Sequence, residues 1–149
     1  MHHTDVHGGT ARTAVRRHGV QLEAVFGHCD VTSEVREAVR DAEIRHGLVT
    51  VAVVGSTAAV TTIEYEPGAL ADLRDALERL APANAHYEHN ARWGDGNGFS
   101  HLRSALLKTS VTIPVVDSEA ALGTWQQVIV VNLDNRPRTR EVIVSVVGV

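Results

Sequence analysis

Three short apolar runs constrain this chain most: Leu48 to Val54 (LVTVAVV), Val128 to Leu133 (VIVVNL) and Arg140 to Val147 (REVIVSVV). Each has the length of a strand, and none approaches the roughly 20 apolar residues that a membrane-spanning helix needs. The first reads as a strand buried on both faces. Gly55 and Ser56 break it, and Thr57 to Tyr65 resumes as a second β-branched strand. So short a break predicts a hairpin. Ser110 to Val116 is a further strand, and Pro114 places it at an edge or a bulge because proline cannot donate to a ladder. Asp134-Asn135-Arg136-Pro137 is turn chemistry before the last strand. Near the start, Thr10 to His18 alternates weakly and reads as a strand, with His18-Gly19 as a turn. Val20 to Phe26 is strand or an entry to the next element.

Two segments carry helical periodicity. Val35, Ala38, Val39 and Ala42 recur on one face behind Thr32 and Ser33, both good caps, with Gly47 as the stop. The opposite face is charged, with Glu37 and Asp41 spaced to pair with Arg40 and Arg45. Pro67-Gly68 opens a second helix with Leu70, Leu73, Leu77 and Leu80 inward, ended by Pro82. Phe99, Leu102 and Leu106 suggest a third, short helix capped by Ser100. Strands joined by short turns favour antiparallel pairing. The reading is an α+β, sandwich-like domain over residues 10–149, behind a flexible tail of residues 1–9 that includes His2, His3 and His7.

Composition excludes several functions. At 149 residues with 44% apolar content the chain is one globular domain, and a net charge of -4 disfavours a general nucleic-acid binder. No apolar run or leader points to a membrane or to export, so a cytoplasmic protein is expected. Cys29 is the sole cysteine and reads as a small hydrophobe without nucleophile context. Lys108 is the sole lysine, through which any Schiff-base chemistry would run. There is no GxxxxGK, no strand–GxGxxG–helix and no GxSxG.

Chemistry concentrates in Tyr87 to Leu107 (YEHNARWGDGNGFSHLRSALL). His89, Asp95, Asn97 and His101 can donate, accept or bind metal. Gly94-Asp95-Gly96-Asn97-Gly98, with three glycines in five residues, makes regular structure there unlikely. A polar loop feeding a helix is one way to build a site. His89 and His101 could share a metal or act as acid and base, with Glu64 supplying a carboxylate. Structural histidines on a solvated loop explain the same pattern. Arg92, Arg103 and Lys108 flank the loop as cations. Trp125 reads as core or subunit interface ahead of ligand contact.

The order Thr57 to Thr61 (TAAVT), Tyr87 to Asn90 (YEHN), Gly94 to Leu107, Ser110 to Val115 (SVTIPV) and Leu122 to Gln126 (LGTWQ) resembles the YjbQ family, also called the secondary thiamine-phosphate synthase family. The resemblance spans nearly the whole domain. It implies a two-sheet α+β sandwich with mostly antiparallel strands and two to three helices, assembled as a homotrimer. It implies an enzyme of small, phosphorylated heterocyclic metabolites, with thiamine-phosphate-synthase-like activity at most weak. It also implies a small-molecule ligand and no nucleic-acid or membrane partner. Carried over residue by residue, His89, His101 and Glu64 stand as catalytic. Thr57, Asp95, Asn97, Arg103 and Trp125 stand as substrate-binding, and His89 and His101 as metal ligands. The departure is Gly55, where the family usually has histidine; Ile63 likewise replaces an asparagine. Loss of that imidazole weakens the case for a divalent metal and is expected to open space beside Ser56. The alternatives are a trimeric binding protein with a degenerate site, or a variant recruited to specialised metabolism.

Overall fold

The computed structural model describes residues 4–149. Its elements run β1 (Arg12–Leu22), β2 (Gly27–Asp30), α1 (Thr32–Ala42), β3 (Gly47–Val54), β4 (Ala58–Ile63), α2 (Pro67–Leu80), α3 (Glu88–Trp93), α4 (Gly98–Leu107), β5 (Ser110–Val116), β6 (Glu119–Ala120), β7 (Gln127–Asn132) and β8 (Arg138–Gly148). The α+β class holds, with four helices among the described residues rather than two to three. The strands form a five-stranded sheet of order β1-β8-β3-β5-β6 and a three-stranded sheet of order β2-β7-β4. All their pairings are antiparallel.

The hairpin expected across Gly55-Ser56 does not form. β3 pairs with β5 and β8, while β4 pairs with β7, so these residues carry the chain from one sheet to the other. β3 is not buried on both faces either. Val49, Val51 and Val53 point inward, while Leu48 and Val54 are exposed. The two-sided strand is β7. Its Val128 and Val130 join α1 and the larger sheet in one core, and its Ile129 and Val131 join Leu70 and Leu77 of α2 in a second. Each such fully buried aliphatic side chain contributes about 1.5–3 kcal/mol relative to exposure.

His18-Gly19 is not a turn. β8 pairs with β1 without interruption from Arg12↔Gly148 to Leu22↔Arg138, and a continuous ladder overrides the local turn signal. Of the tail, His2 and His3 lie outside the described residues, and His7 stacks on His46 at 3.7 Å.

The helix ends also differ from expectation. Val31, not Thr32 or Ser33, is the boundary residue of α1 and makes no side-chain cap; just before it, Asp30 Oδ1 accepts from the Thr32 amide at 2.8 Å and the Thr32 hydroxyl at 2.5 Å. Thr32 Oγ1 is thereby freed to accept from the Val128 amide at 2.9 Å. Glu43, at φ 51°, ends the helix in place of Gly47. Gly47 instead opens β3, where a Cβ would collide with the Val147 carbonyl. Glu37 and Asp41 pair with Arg16 of β1 rather than within the helix. Glu66 caps α2 with its carboxylate, and Leu80 at its end is exposed rather than inward.

The outer face of the larger sheet carries Val15, Leu48, Val54, Val116 and Val147. All lie on the same side by register, and all are 43% exposed or more. Among the described residues no helix is long and apolar enough to cross a membrane.

Candidate functional site

The stretch from Tyr87 to Leu107 is more ordered than its glycines suggest. Glu88 to Trp93 forms α3, and Gly94, at φ 70°, ends it in the left-handed region that glycine adopts without strain. α4 starts at Gly98 with Asn97 as its boundary residue; Ser100, expected as the cap, is fully buried one turn inside. Asn90 of α3 ties the two helices together by accepting from the Gly98 amide at 2.8 Å. The inward face of α4 is Phe99, Ser100, Arg103 and Ser104, with Ser104 Oγ donating to the Ala58 carbonyl of β4 at 2.6 Å. Leu102 and Leu106, expected inward with Phe99, face outward.

This clamp brings together residues that are twelve positions apart. The rings of His89 and His101 lie 4.4 Å apart, tilted by 54°. Asp95 Oδ2 sits 3.2 Å from His89 Nε2. The hydrogen-bond network turns the Asn97 amide nitrogen toward Asp95, to whose carboxylate oxygens it donates at 3.0 and 3.2 Å. A carboxylate only accepts when ionised, so the proton between His89 and Asp95 belongs on Nε2. That leaves Nδ1 of His89 as the basic nitrogen. Asn135 Nδ2 donates to the Asp95 carbonyl at 2.9 Å and fixes the loop to the turn between β7 and β8. Both imidazoles are half-buried, so the cluster is held yet open to solvent.

The other expected site residues are placed elsewhere. Glu64 and Trp125 lie at the far end of the smaller sheet. Ala58 pairs with Asn132 and Ile63 with Gln127, so Thr57 and Glu64 are separated by nearly the whole of β4, roughly 20 Å at about 3.3 Å per residue. Trp125 is 72% exposed, neither core nor covered within one chain. Arg103 is turned inward: it is 1% exposed, donates to the Ala81 carbonyl at 3.0 Å, pairs with Glu78 and stacks over Phe99 at 4.8 Å. Its role is to hold α4 against the end of α2. The Glu78 carboxylate is held below its usual range, first by the Ala83 amide and then by Arg103. Cys29 behaves as the small hydrophobe expected, with burial pushing its thiol up to about 11.

Thr57 belongs to a buried network that sequence reasoning missed. Arg140 Nη2 donates to Thr57 Oγ1 at 2.7 Å, to the Thr57 carbonyl at 3.0 Å and to Asn132 Oδ1 at 2.6 Å. Its Nε reaches Asn132 Oδ1 at 3.1 Å. Thr57 Oγ1 in turn donates to Asp134 Oδ2 at 3.1 Å, and Arg138 pairs with the same oxygen at 3.0 Å. Burial pushes the Asp134 carboxyl up, but the Thr57 and Arg138 hydrogen bonds outweigh it, and the net shift is downward. Burial lowers the Arg140 guanidinium, with Asp134 opposing. The space expected at Gly55 is not open. A Cβ there would lie 2.9 Å from Arg140 Nη1, so the guanidinium fills it from below. A sequence sign of this network is the alternation of arginines at 136, 138 and 140, of which only Arg136 falls in the stretch that reads as turn chemistry.

Among the described residues no three His, Cys, Asp or Glu side chains converge as a metal ion requires. His89 Nε2 is committed to Asp95, and the Arg140 guanidinium lies against Gly55. The donor set therefore suits proton transfer better than metal coordination. A concavity of about 440 Å³ lies apart from this cluster, between α1 and the β5–β6 turn, and is lined by Arg36, Arg40 and Asp117 among others. It holds no acid–base pair, so chemistry favours the smaller imidazole cluster.

Residues 17–149 match the family model described as UPF0047 protein YjbQ-like. A UPF0047 protein of Methanothermobacter thermautotrophicus is 41% identical over 119 residues, covering 80% of this chain and 81% of that protein. The YjbQ protein of Salmonella typhimurium is 32% identical over 84 residues, 56% of this chain and 60% of its own. A crystal structure of a YbjQ-like protein from Sulfolobus solfataricus P2 superposes with a TM-score of 0.89 at 26% identity, covering 94% of this chain and all of that one. A crystal structure of a hypothetical protein from Aeropyrum pernix K1 gives 0.83 at 31% identity over 91% of this chain and 99% of its own.

Proposed function

The chain belongs to the YjbQ-like UPF0047 family, and on that footing we propose that it is an enzyme acting on a small heterocyclic metabolite through the His89–His101 pair. The observation that carries this is the 4.4 Å approach of two half-buried imidazoles, one of them oriented by Asp95 at 3.2 Å. In this reading Asp95, itself held by the Asn97 amide, keeps His89 with Nε2 protonated. His89 Nδ1 takes a proton from the substrate while His101 returns one to the departing or receiving atom. A fixed pair of this kind contributes typically 10²–10⁴-fold. Condensation of the pyrimidine diphosphate and thiazole phosphate halves of thiamine is retained as a weak activity at most.

Replacing His101 by alanine is the direct test. Turnover of whichever substrate the wild type accepts is expected to fall at least a hundredfold, with little change in Tm. Full activity in that variant would remove the pair from the mechanism. Incubation of both thiamine halves with magnesium, compared with buffer alone, decides that substrate pair separately.

We also propose that the protein works as a homotrimer. The support is the outer face of the larger sheet, where five aliphatic side chains stand exposed in the single chain. Assembly also offers Glu64 and Trp125 a route to an imidazole pair that they cannot reach within their own chain. Light scattering at three chain masses is the expected result. Coexpression of Glu64→Gln with His101→Ala should restore part of the activity if the two ends meet across subunits, and none if they do not. A degenerate binding site remains the second reading, favoured by the guanidinium that lies against Gly55.

A further inference from the structure

Arg140 is an unusual cation for its depth. Its side chain is 9% exposed, and it shares its counter-ion with a second arginine. The nearest carboxylate, Asp134, lies 3.9 Å away and is already engaged by Arg138 at 3.0 Å. Four hydrogen bonds from Nε and Nη2, to Asn132 and Thr57, hold the guanidinium in one orientation. Among the described residues Nη1 has no acceptor. It points at Gly55, where a Cβ would come within 2.9 Å. Gly55 and Ser56 are exposed, and with no side chain on Gly55 the guanidinium lies directly beneath the surface backbone there. Gly55 has φ 144°, a conformation that side-chain-bearing residues avoid, so the backbone as well as the contact keeps a Cβ from covering Nη1.

A buried cation short of a counter-ion is costly, and a charge-assisted hydrogen bond to an oxyanion is the interaction that relieves it. A guanidinium fixed by its other nitrogens is pre-organised for that bond. We propose that Arg140 Nη1, reached past Gly55, anchors an oxyanion of the small-molecule ligand, a phosphate or carboxylate group. The loop holding the imidazoles is tied to the neighbouring turn through Asn135 and Asp95, so anchor and acid–base pair share one rim of the molecule. The identity of the anion's carrier rests on the acid–base reading above; the anchor itself rests on Arg140 and Gly55.

The Arg140 side-chain Nε–Hε resonance of the full chain, followed by NMR at low ionic strength, tests this. Inorganic phosphate and acetate are the probes. A saturable shift with phosphate alone assigns a phosphoryl anchor; a shift with both assigns a general oxyanion site. No saturable shift with either overturns the proposal. Gly55→Ala, which puts a Cβ against Nη1, is expected to weaken phosphate binding at least tenfold, and unchanged affinity in a folded variant would also overturn it. Should that variant not fold, the wild-type resonance still decides. His101→Ala is expected to lose turnover and keep the phosphate shift, so a failure of the acid–base pair and a failure of the anchor give different results.

Discussion

The imidazole cluster and the Arg140 network lie next to each other and are built in opposite ways. His89, Asp95, Asn97 and His101 come from one short stretch and rely on few neighbours; Asn97 is buried, while the other three stand partly in solvent. Thr57, Asn132, Asp134 and Arg140 come from three separate parts of the chain, are at most 8% exposed, and saturate most of one another's hydrogen bonds. Solvent-facing groups can exchange protons with a ligand, and their loss costs little folding energy. Buried ionic groups are each other's solvent, and removing one leaves the rest uncompensated. The first region is therefore expected to control turnover and the second stability.

That division can be broken most sharply at Arg140. Arg140→Met should destabilise the fold by about 3 kcal/mol, the lower end for breaking a buried ionic network because Arg138 still pairs with Asp134. For a chain of this size that is a fall in Tm of roughly 6–12 °C, read by calorimetry. His101→Ala, by contrast, should move Tm by no more than about 2 °C. Equal losses in the two variants would mean that the imidazole cluster is as structural as the arginine.

Asp95→Asn sharpens the functional half. Its amide can no longer hold the His89 proton on Nε2 by charge. Turnover should fall by about tenfold, less than for removal of an imidazole, with thermal stability nearly unchanged. A Tm loss matching the activity loss would place Asp95 with the structural network.

The smallest effect concerns acid. The folded carboxyl of Asp134 lies below its ordinary value of 3.8, so the native state releases this proton more readily than the unfolded chain. Its contribution is present above that value and is lost as pH falls through the depressed one. Wild-type stability should drop along this limb below about pH 4, and Asp134→Asn should flatten it, as urea midpoints between pH 2 and 6 would show. An unchanged limb in the variant would assign it to other carboxylates.

Much of this was legible in the residues themselves. The periodicity of Val35, Ala38, Val39 and Ala42 announced the buried face of α1, and all four are buried. The crowding of histidines with Asp95 and Asn97 marked the stretch where two imidazoles do meet. These features are local, set by backbone periods of 3.6 and 2 and by turn preferences that any few residues carry with them. The helical order of α3 was hidden because three glycines outweighed a six-residue pattern, whereas Asn90 and Tyr87 close tightly around Gly98. Similarly, His18-Gly19 carries a turn signal that only the long ladder with β8 could override.

The chain by itself thus determined the longer periodic helices and strands, the family they belong to, and which residues are chemically equipped. Tertiary structure alone decided that β3 and β4 part into different sheets, that β7 is buried on both sides, that Arg103 turns inward, and that Arg140 fills the space under Gly55. Those outcomes depend on pairing between residues as far apart as Thr57 and Arg140. Such contacts are chosen by the total burial and hydrogen bonding of the folded molecule, which no local pattern encodes.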